Sequence, residues 1–483
     1  MTRYRAIGYV LGQFLLALAG TMLIPLGYGL LAGGDGPLPL VYASVITASV
    51  GALLLLFLRR PTHDLTQREG LLMVVSIWLA VAFFGSLPFY ASPHFVSFTD
   101  AMFEAVSGFT TTGATILLDV EVLPPALQFW RCFSHWLGGM GILVLGIAVL
   151  PLVGHGGMQL YRAEFSGASS ERLTPRIKET AKALSGIYVA MTVALYIALR
   201  LAGMNNFDAL CHTFSTLGTG GFSTRTESIA AFKSPLIESI IVLFMLAAGM
   251  SFVQHYRLWI ERRPRSVFAD IEIRYYFVLI LVATLVITGV LVGNSGYEPL
   301  TAFRSALFQV GSIVTTTGFV TDDFHLWVAP CQVILLACMF LGGCTGSTAG
   351  GMKVARLLLL FRVVDREFKR MVERRGVFSV RFGGQHVTEE TIRSLLNLVY
   401  LAFMVNVISC LLLSAMGIGV LTAIAAVAAS MFNVGPGLGA VGPAETYAHL
   451  PLLAKWVLAG DMIAGRLEFY AVLVILNPAF WRK

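Results

Sequence analysis

Long apolar stretches separated by short polar breaks organise this chain. The apolar runs cover residues 7–32, 38–58, 70–90, 126–152, 183–203, 235–259, 275–293, 328–360, 392–416 and 450–477. A helix rises about 1.5 Å per residue, so about 20 apolar residues cross a hydrocarbon core of roughly 30 Å. The pattern predicts ten crossing helices, the tenth interrupted near its middle by Asp461, Gly465, Arg466 and Glu468. The first run begins after Met1-Thr-Arg-Tyr-Arg5 and continues through Tyr28-Gly-Leu-Leu-Ala32. That is too long for the core of a cleaved signal segment, so it reads as an uncleaved first helix.

Composition points the same way. Of 483 residues, 57% are apolar and only 13% charged, where a soluble domain carries about 25% charged residues to cover its surface. The outer surface is therefore expected to face lipid. The net charge of +7 does not turn the reading toward nucleic acid, because the basic residues sit in the breaks between apolar runs. Cys132, Cys211, Cys331, Cys338, Cys344 and Cys410 lie mostly in apolar surroundings, with no second CxxC pair or histidine cluster nearby. They read as small buried residues rather than disulfides or metal ligands.

Ten crossings place both termini on one side. On that side fall Arg3 and Arg5; Arg59, Arg60 and Arg68; Arg162, Arg172, Arg176, Lys178 and Lys182; Arg257, Arg262, Arg263, Arg265 and Arg274; the stretch Arg362 to Arg381; and Arg482 and Lys483. The positive-inside rule makes that side cytoplasmic. Across the membrane stand Asp119, Glu121, Glu227, Glu298, Asp322, Asp323 and Glu445. These acids either concentrate cations at a pore mouth or simply keep the loops soluble.

After the third, fifth, seventh and ninth runs comes a semi-apolar stretch too short to cross. Each ends at a glycine: Thr110-Thr-Thr-Gly113, Gly218-Thr-Gly-Gly221, Thr315-Thr-Thr-Gly318 and Phe432-Asn-Val-Gly435. Twelve residues before these glycines stand Ala101, Ala209, Ala306 and Ala423; six before stand Ser107, Ser215, Ser312 and Ala429. The units are in phase, and each reads as helix, short re-entrant helix, glycine turn, helix. Non-helical backbone at membrane depth is tolerated only where protein buries it or water reaches it. Four turns meeting on one axis would present a ring of carbonyl oxygens able to replace the hydration shell of a monovalent cation. Glycine permits the backbone angles such a turn needs. No charge occurs from Phe109 to Leu118, which suits a neutral dipolar filter better than an acidic ring. The short helices are expected to aim their carboxyl ends, each with about half a negative charge, at the cavity below. Close helix packing through Gly and Thr is the competing account. It explains one such motif more readily than four in register.

The four units, together with Gly343-Cys-Thr-Gly-Ser-Thr-Ala-Gly-Gly-Met-Lys353 and Gly465-Arg-Leu-Glu-Phe469, resemble the TrkH/TrkG/KtrB superfamily of potassium transport proteins. Two extra N-terminal spans and the length favour its TrkH branch, and the resemblance covers essentially the whole chain. It implies an all-α polytopic protein with four pseudo-symmetric helix–pore loop–helix repeats around one pore. The divisions would be an N-terminal two-helix domain at 1–68 and repeats at 69–180, 181–270, 271–385 and 386–483. It further implies a homodimer with one pore per protomer, potassium as substrate, no bound cofactor, and a TrkA-like cytosolic nucleotide-binding subunit that gates the pore. The expected location is a bacterial inner membrane. Carried over, the potassium-binding filter falls on the backbone of Thr111, Thr112 and Gly113; Thr219, Gly220 and Gly221; Thr316, Thr317 and Gly318; and Asn433, Val434 and Gly435. The fourth loop lacks threonine and the second has Gly-Gly, so the filter is expected to depart from four-fold symmetry.

Residues 342–353 lie in the middle of the eighth run and are too glycine-rich for a straight helix, since each interior glycine costs about 1 kcal/mol against alanine. They follow the third filter and match the family's intramembrane gating loop, which places the gate at Gly346, Ser347, Thr348, Ala349, Gly350, Gly351 and Lys353. A nucleotide-binding P-loop is disfavoured: the Walker spacing misses by one residue and no strand precedes it. A tight helix contact is the remaining alternative. Arg466, deep in the last run, is a functional candidate because charge there is expensive. By the resemblance it faces the cavity as an electrostatic barrier; the alternative is a structural pair with Glu468 or Asp461. Lys353 either ends the loop at the cavity or snorkels to the interface. The breaks at 153–182, 257–274 and 362–391 are expected to dock a partner or to meet anionic lipid.

Two other function classes compete with a channel-like subunit. A secondary transporter with broken helices would show inverted halves and intramembrane carboxylates for ion coupling, where this chain has four units of one orientation and filters without carboxylates. A membrane enzyme would show paired acids, HExxH or a nucleophile with its histidine; no such set stands at membrane depth.

Overall fold

A computed structural model describes residues 2–32, 37–58, 66–149 and 177–482. The expected basic residues Arg59, Arg60, Arg162, Arg172, Arg176 and Lys483, and the stretch 150–152 of the fourth run, lie outside the described residues. Among the described residues the regular elements are helices, apart from a two-residue hairpin pairing Arg381–Phe382 with Gln385–His386. Two N-terminal helices, α1 (Thr2–Ala32) and α2 (Pro37–Phe57), lie against each other. Then come α3 (Gln67–Tyr90), α4 (Phe98–Phe109) and α5 (Pro125–Val149); α6 (Ile177–Leu201), α7 (Asn206–Leu217), α8 (Pro235–Ala248) and α9 (Phe252–Trp259). The third set is α10 (Ile271–Ser295), α11 (Pro299–Val314), α12 (Ala329–Met339) and α13 (Val354–Val372). The last is α14 (Glu389–Ala415), α15 (Val420–Met431), α16 (Leu452–Arg466) and α17 (Tyr470–Leu476).

Among the described residues six helices are long and apolar enough to cross a membrane: most of α1 and α3, α2, most of α6, α10 and α14. Their outward positions are apolar, as Leu281, Val282 and Leu285 show on α10, each about half exposed, and such a surface belongs in lipid. Three expected spans are not continuous helices. The run 235–259 bends by 102° between α8 and α9. There the Gly249 carbonyl accepts the Cys344 amide instead of continuing a helix. The run 328–360 stops at Met339 and resumes at Val354, and the second piece continues as a charged helix to Val372. The run 450–477 breaks after Arg466, where Glu468 and Phe469 adopt φ of 57° and 59°.

The short helices α4, α7, α11 and α15 sit between longer ones. The Ser97 hydroxyl caps α4 by accepting the Asp100 amide at 3.2 Å, and Asn205 does the same for α7 through Asp208 at 2.7 Å. Pro299 opens α11 at a position where no amide is needed. Ala101, Ala209, Ala306 and Ala423, the alanines in phase, are fully buried; a larger side chain there would push the neighbouring helices apart. The Trp130 indole donates to the Gly85 carbonyl at 3.0 Å and holds α5 to α3 behind α4.

Candidate functional site

The three residues after each short helix fold back on it in the same way. Thr110, Thr111 and Thr112 donate their amides to the carbonyls of Val106, Gly108 and Ser107 at 2.8, 3.1 and 2.8 Å. Gly218, Thr219 and Gly220 donate to Phe214, Thr216 and Ser215; Thr315, Thr316 and Thr317 to Gly311, Ile313 and Ser312; Phe432, Asn433 and Val434 to Ala428, Ser430 and Ala429. The third acceptor is always the residue six before the glycine, so the phase seen in the sequence marks the carbonyl that anchors the turn.

Backbone angles repeat as well. Thr111, Thr219, Thr316 and Asn433 have φ of 55°, 53°, 55° and 56°; Gly113, Gly221, Gly318 and Gly435 have 81°, 84°, 78° and 95°; the residue between them is not left-handed. Alternating handedness turns successive amides to one face, and the amides are consumed by the helix end. The carbonyls of the same peptides are left on the other face. Among the described residues the twelve predicted filter carbonyls accept no hydrogen bond from the protein, with one exception at Gly435.

The four turns close a ring. A Cβ placed on Gly113 would strike the carbonyl oxygen of Gly220, one on Gly221 that of Thr317, one on Gly318 that of Val434, and one on Gly435 that of Thr112. Each glycine thus gives way to the next loop's carbonyl, and the sequence of contacts returns to its start. All four glycines line one cavity of about 100 Å³. The fourth loop is less irregular than its letters suggest. Asn is among the few side chains that tolerate a left-handed backbone, and Asn433 adopts the same angles as the threonines. Its amide donates to the Thr112 hydroxyl at 2.9 Å and to the Met462 carbonyl at 3.0 Å.

Beneath the ring lies the glycine-rich loop. Gly342, Gly346 and Gly351 have φ of 80°, 74° and 73°, and Lys353 is left-handed at 58°. The loop touches the second, third and fourth repeats. The Thr348 hydroxyl is within bonding distance of the Leu217 carbonyl, at the end of α7, and of the Ala248 carbonyl (3.0 and 3.3 Å). The Gly350 amide donates to the Thr316 hydroxyl at 2.7 Å, and a Cβ on Gly350 would meet the Phe432 carbonyl at 2.5 Å. The carboxyl end of α7 therefore points at this loop, as expected of a helix aimed below the filter. Thr348 is wholly buried; Ser347, Ala349 and Lys353 are also buried.

Arg466 reaches the same loop. Its guanidinium donates to the Thr348 carbonyl at 2.8 Å and to the Gly138 carbonyl at 3.3 Å, and its Nε has no partner. The proposed alternative partners are engaged elsewhere: Glu468 pairs with Arg356 at 2.7 Å, and Asp461 accepts from Ser409 at 2.9 Å. Lys353 turns its ammonium back to the Ala349 carbonyl rather than outward to an interface.

A family model described as "TrkH: Cation transport protein" matches residues 40–483. The chain belongs to the TrkH cation transport family. It is 40% identical over 484 residues to the Trk system potassium uptake protein TrkH of Salmonella typhimurium, covering 99% of this chain and 100% of that one. It is 37% identical over 423 residues to the potassium uptake protein TrkG of Escherichia coli, covering 87% of each. The crystal structure of the potassium transporter TrkH from Vibrio parahaemolyticus superimposes with a TM-score of 0.92 at 39% identity, covering 99% and 100%. These relatives are transport proteins, not enzymes.

The TrkH fold also holds site residues that the sequence pattern did not single out. Tyr447, in the loop after the fourth filter, donates its amide to the Thr115 carbonyl at 2.9 Å and its hydroxyl to the Gly435 carbonyl at 2.8 Å. It pins the first and fourth turns together. No counterpart in phase could have announced it. Glu272 accepts the amides of Thr345 and Ala355 at 2.7 and 3.2 Å and so fixes both ends of the loop. In the loops that follow the first two turns, Asp119 accepts the Thr226 hydroxyl at 2.7 Å and the Glu121 amide at 2.9 Å, while Arg225 joins Glu121 and Asp208 at 3.2 and 2.9 Å. The Thr226 hydroxyl and the Glu121 amide hold the Asp119 carboxyl below its usual range. Several outer acids thus tie the loops of the first two repeats together.

Proposed function

We propose that this chain is the channel-like, ion-translocating subunit of a potassium uptake system. Its filter is the ring formed by residues 111–113, 219–221, 316–318 and 433–435. The observation that carries this reading is the closed circuit of glycine and carbonyl contacts around a single cavity. Carbonyl oxygens without protein donors are what a dehydrated monovalent cation requires. The names of the relatives supply the choice of potassium.

The loop 342–353 is the gate in this reading, and Arg466 holds it beneath the filter while opposing a cation there with its own charge. The working assembly is a homodimer in a bacterial inner membrane with both termini cytoplasmic. A TrkA-like cytosolic subunit that binds nucleotide acts on the gate through the basic cytoplasmic segments. The divisions 1–68, 69–180, 181–270, 271–385 and 386–483 are the units of this arrangement. Rubidium and sodium flux into liposomes holding the purified protein tests it, with and without the regulatory partner. Rubidium uptake that exceeds sodium uptake and responds to the partner is expected. Equal leakage of both ions, or none with either, overturns it.

A further inference from the structure

Nine residues before the four filter glycines stand Glu104, His212, Gln309 and Ala426, all fully buried. The three polar ones each reach the strand that leaves their own filter. Glu104 accepts the Thr115 hydroxyl at 2.9 Å and the Ile116 amide at 3.1 Å. His212 meets the Ser223 hydroxyl at 2.9 Å, and Gln309 donates to the Thr321 hydroxyl and the Asp322 carbonyl, both at 3.3 Å. One position on the short helix thus braces the filter exit in three repeats, with a different functional group in each.

The first brace is charged, and it is shared. Arg131 of α5 donates Nε to Glu104 at 2.5 Å and Nη1 to the Ser223 carbonyl at 3.0 Å, with its Cζ 3.6 Å from the centre of the Phe222 ring. Ser223 and Phe222 follow the second filter directly, as Thr115 and Ile116 follow the first. A single ion pair therefore joins the exits of two filters, and Arg131 also borders the cavity that the four glycines line. Both side chains are at most 2% exposed. Water is excluded from the pair, so its geometry is held by fixed charge-assisted bonds. Repeats three and four have no equivalent: the matching position is an amide in one and a methyl group in the other.

We propose that Glu104 and Arg131 are specificity-determining positioning residues. They fix the spacing of filters one and two, and through it the preference of the ring for a larger over a smaller alkali cation. A carbonyl ring discriminates by the number and field of oxygens it holds at a given distance, so slack between two of its four arcs lets a smaller ion in. The proposal rests on the potassium reading above.

The test is the rubidium-to-sodium flux ratio in liposomes for the wild type, Glu104→Gln, Arg131→Lys and Thr115→Val. Glu104→Gln keeps an acceptor for Thr115 but removes the charge; Arg131→Lys keeps the charge but not the fork that spans two repeats. Each is expected to lower the ratio by roughly tenfold, which is a loss of about 1.4 kcal/mol of discrimination, while sodium flux rises. Ser239→Ala removes an exposed hydroxyl bond to the Pro235 carbonyl on α8, and is expected to leave the ratio as it is. Removing one member of a buried ion pair can prevent folding. Thr115→Val, which deletes one hydroxyl and no charge, then decides: a lowered ratio supports the proposal and an unchanged one overturns it. Folded Glu104→Gln and Arg131→Lys proteins with the wild-type ratio also overturn it. A wild type that does not discriminate at all refutes the potassium reading instead, so the two failures are separable.

Discussion

At the scale of single residues, backbone angle and charge set what can change. Gly113 has a left-handed φ of 81° and no room for a Cβ beside the Gly220 carbonyl. Gly113→Ala adds roughly 1–2 kcal/mol of backbone strain and moves the neighbouring oxygen out of the ring. We expect it to abolish rubidium flux while the protein still purifies as a folded species; wild-type flux in this variant would show that the ring does not conduct. Arg466 is the opposite case, a charge whose removal should help. Near a surface a unit charge at about 4 Å from an ion interacts by roughly 4 kcal/mol at an effective dielectric of 20. Arg466→Met is expected to raise flux at least several-fold, read by the same liposome assay. Unchanged flux would mean that the guanidinium only ties Thr348 and Gly138 together. The threonines and glycines of the filter, and Arg466, were legible as letters. Tyr447 was not, because its role comes from a loop that returns over the ring and repeats nowhere in the sequence.

At the scale of elements, apolar runs located the long helices among the described residues, and glycines and charges marked two of the three breaks. Only the run 235–259 reads as an unbroken span; the glycines of 342–353 and the group Asp461, Gly465, Arg466 and Glu468 mark interruptions in the runs 328–360 and 450–477. Hydropathy registers burial, and the broken segments are buried too, against protein rather than lipid. What marks the breaks is glycine: Gly249, Gly342 to Gly351, and Gly465. Residues 342–353 were legible as a loop because their glycines are dense, whereas a lone Gly249 gave no such signal. The loop is held by few bonds. Thr348→Val removes the hydroxyl that bonds the Leu217 and Ala248 carbonyls. A net hydrogen bond contributes about 1 kcal/mol. We expect loop opening, and hence flux without the regulatory partner, to rise roughly fivefold. Unaltered basal flux would place the closing contact elsewhere in the loop.

At the scale of the molecule, all four repeats meet at the ring of turns, and an ion held there would tie them together. Ligand binding to the native state alone stabilises it, by about 2.7 kcal/mol at a hundredfold excess over Kd. The unfolding midpoint of the detergent-solubilised protein should therefore rise with potassium or rubidium concentration and rise less with sodium. Identical curves for the three salts would argue that no selective site spans the repeats. The architecture as a whole was readable from the chain because each of its four units repeats the same short spacing before its glycine. The outer loops were not readable. Asp119, Glu121 and Arg225 show in the sequence only as scattered charge, and their pairing across two repeats follows from which loops the fold brings together.

Because the ring is drawn from one polypeptide, its four arcs are encoded separately. In a pore made of four identical chains, any change to the lining appears at every quarter at once. Here Asn433 replaces a threonine in one arc, and an acid, an imidazole, an amide and a methyl group stand at one equivalent position. Selection can alter this pore a quarter at a time, keeping three arcs as a scaffold while the fourth explores.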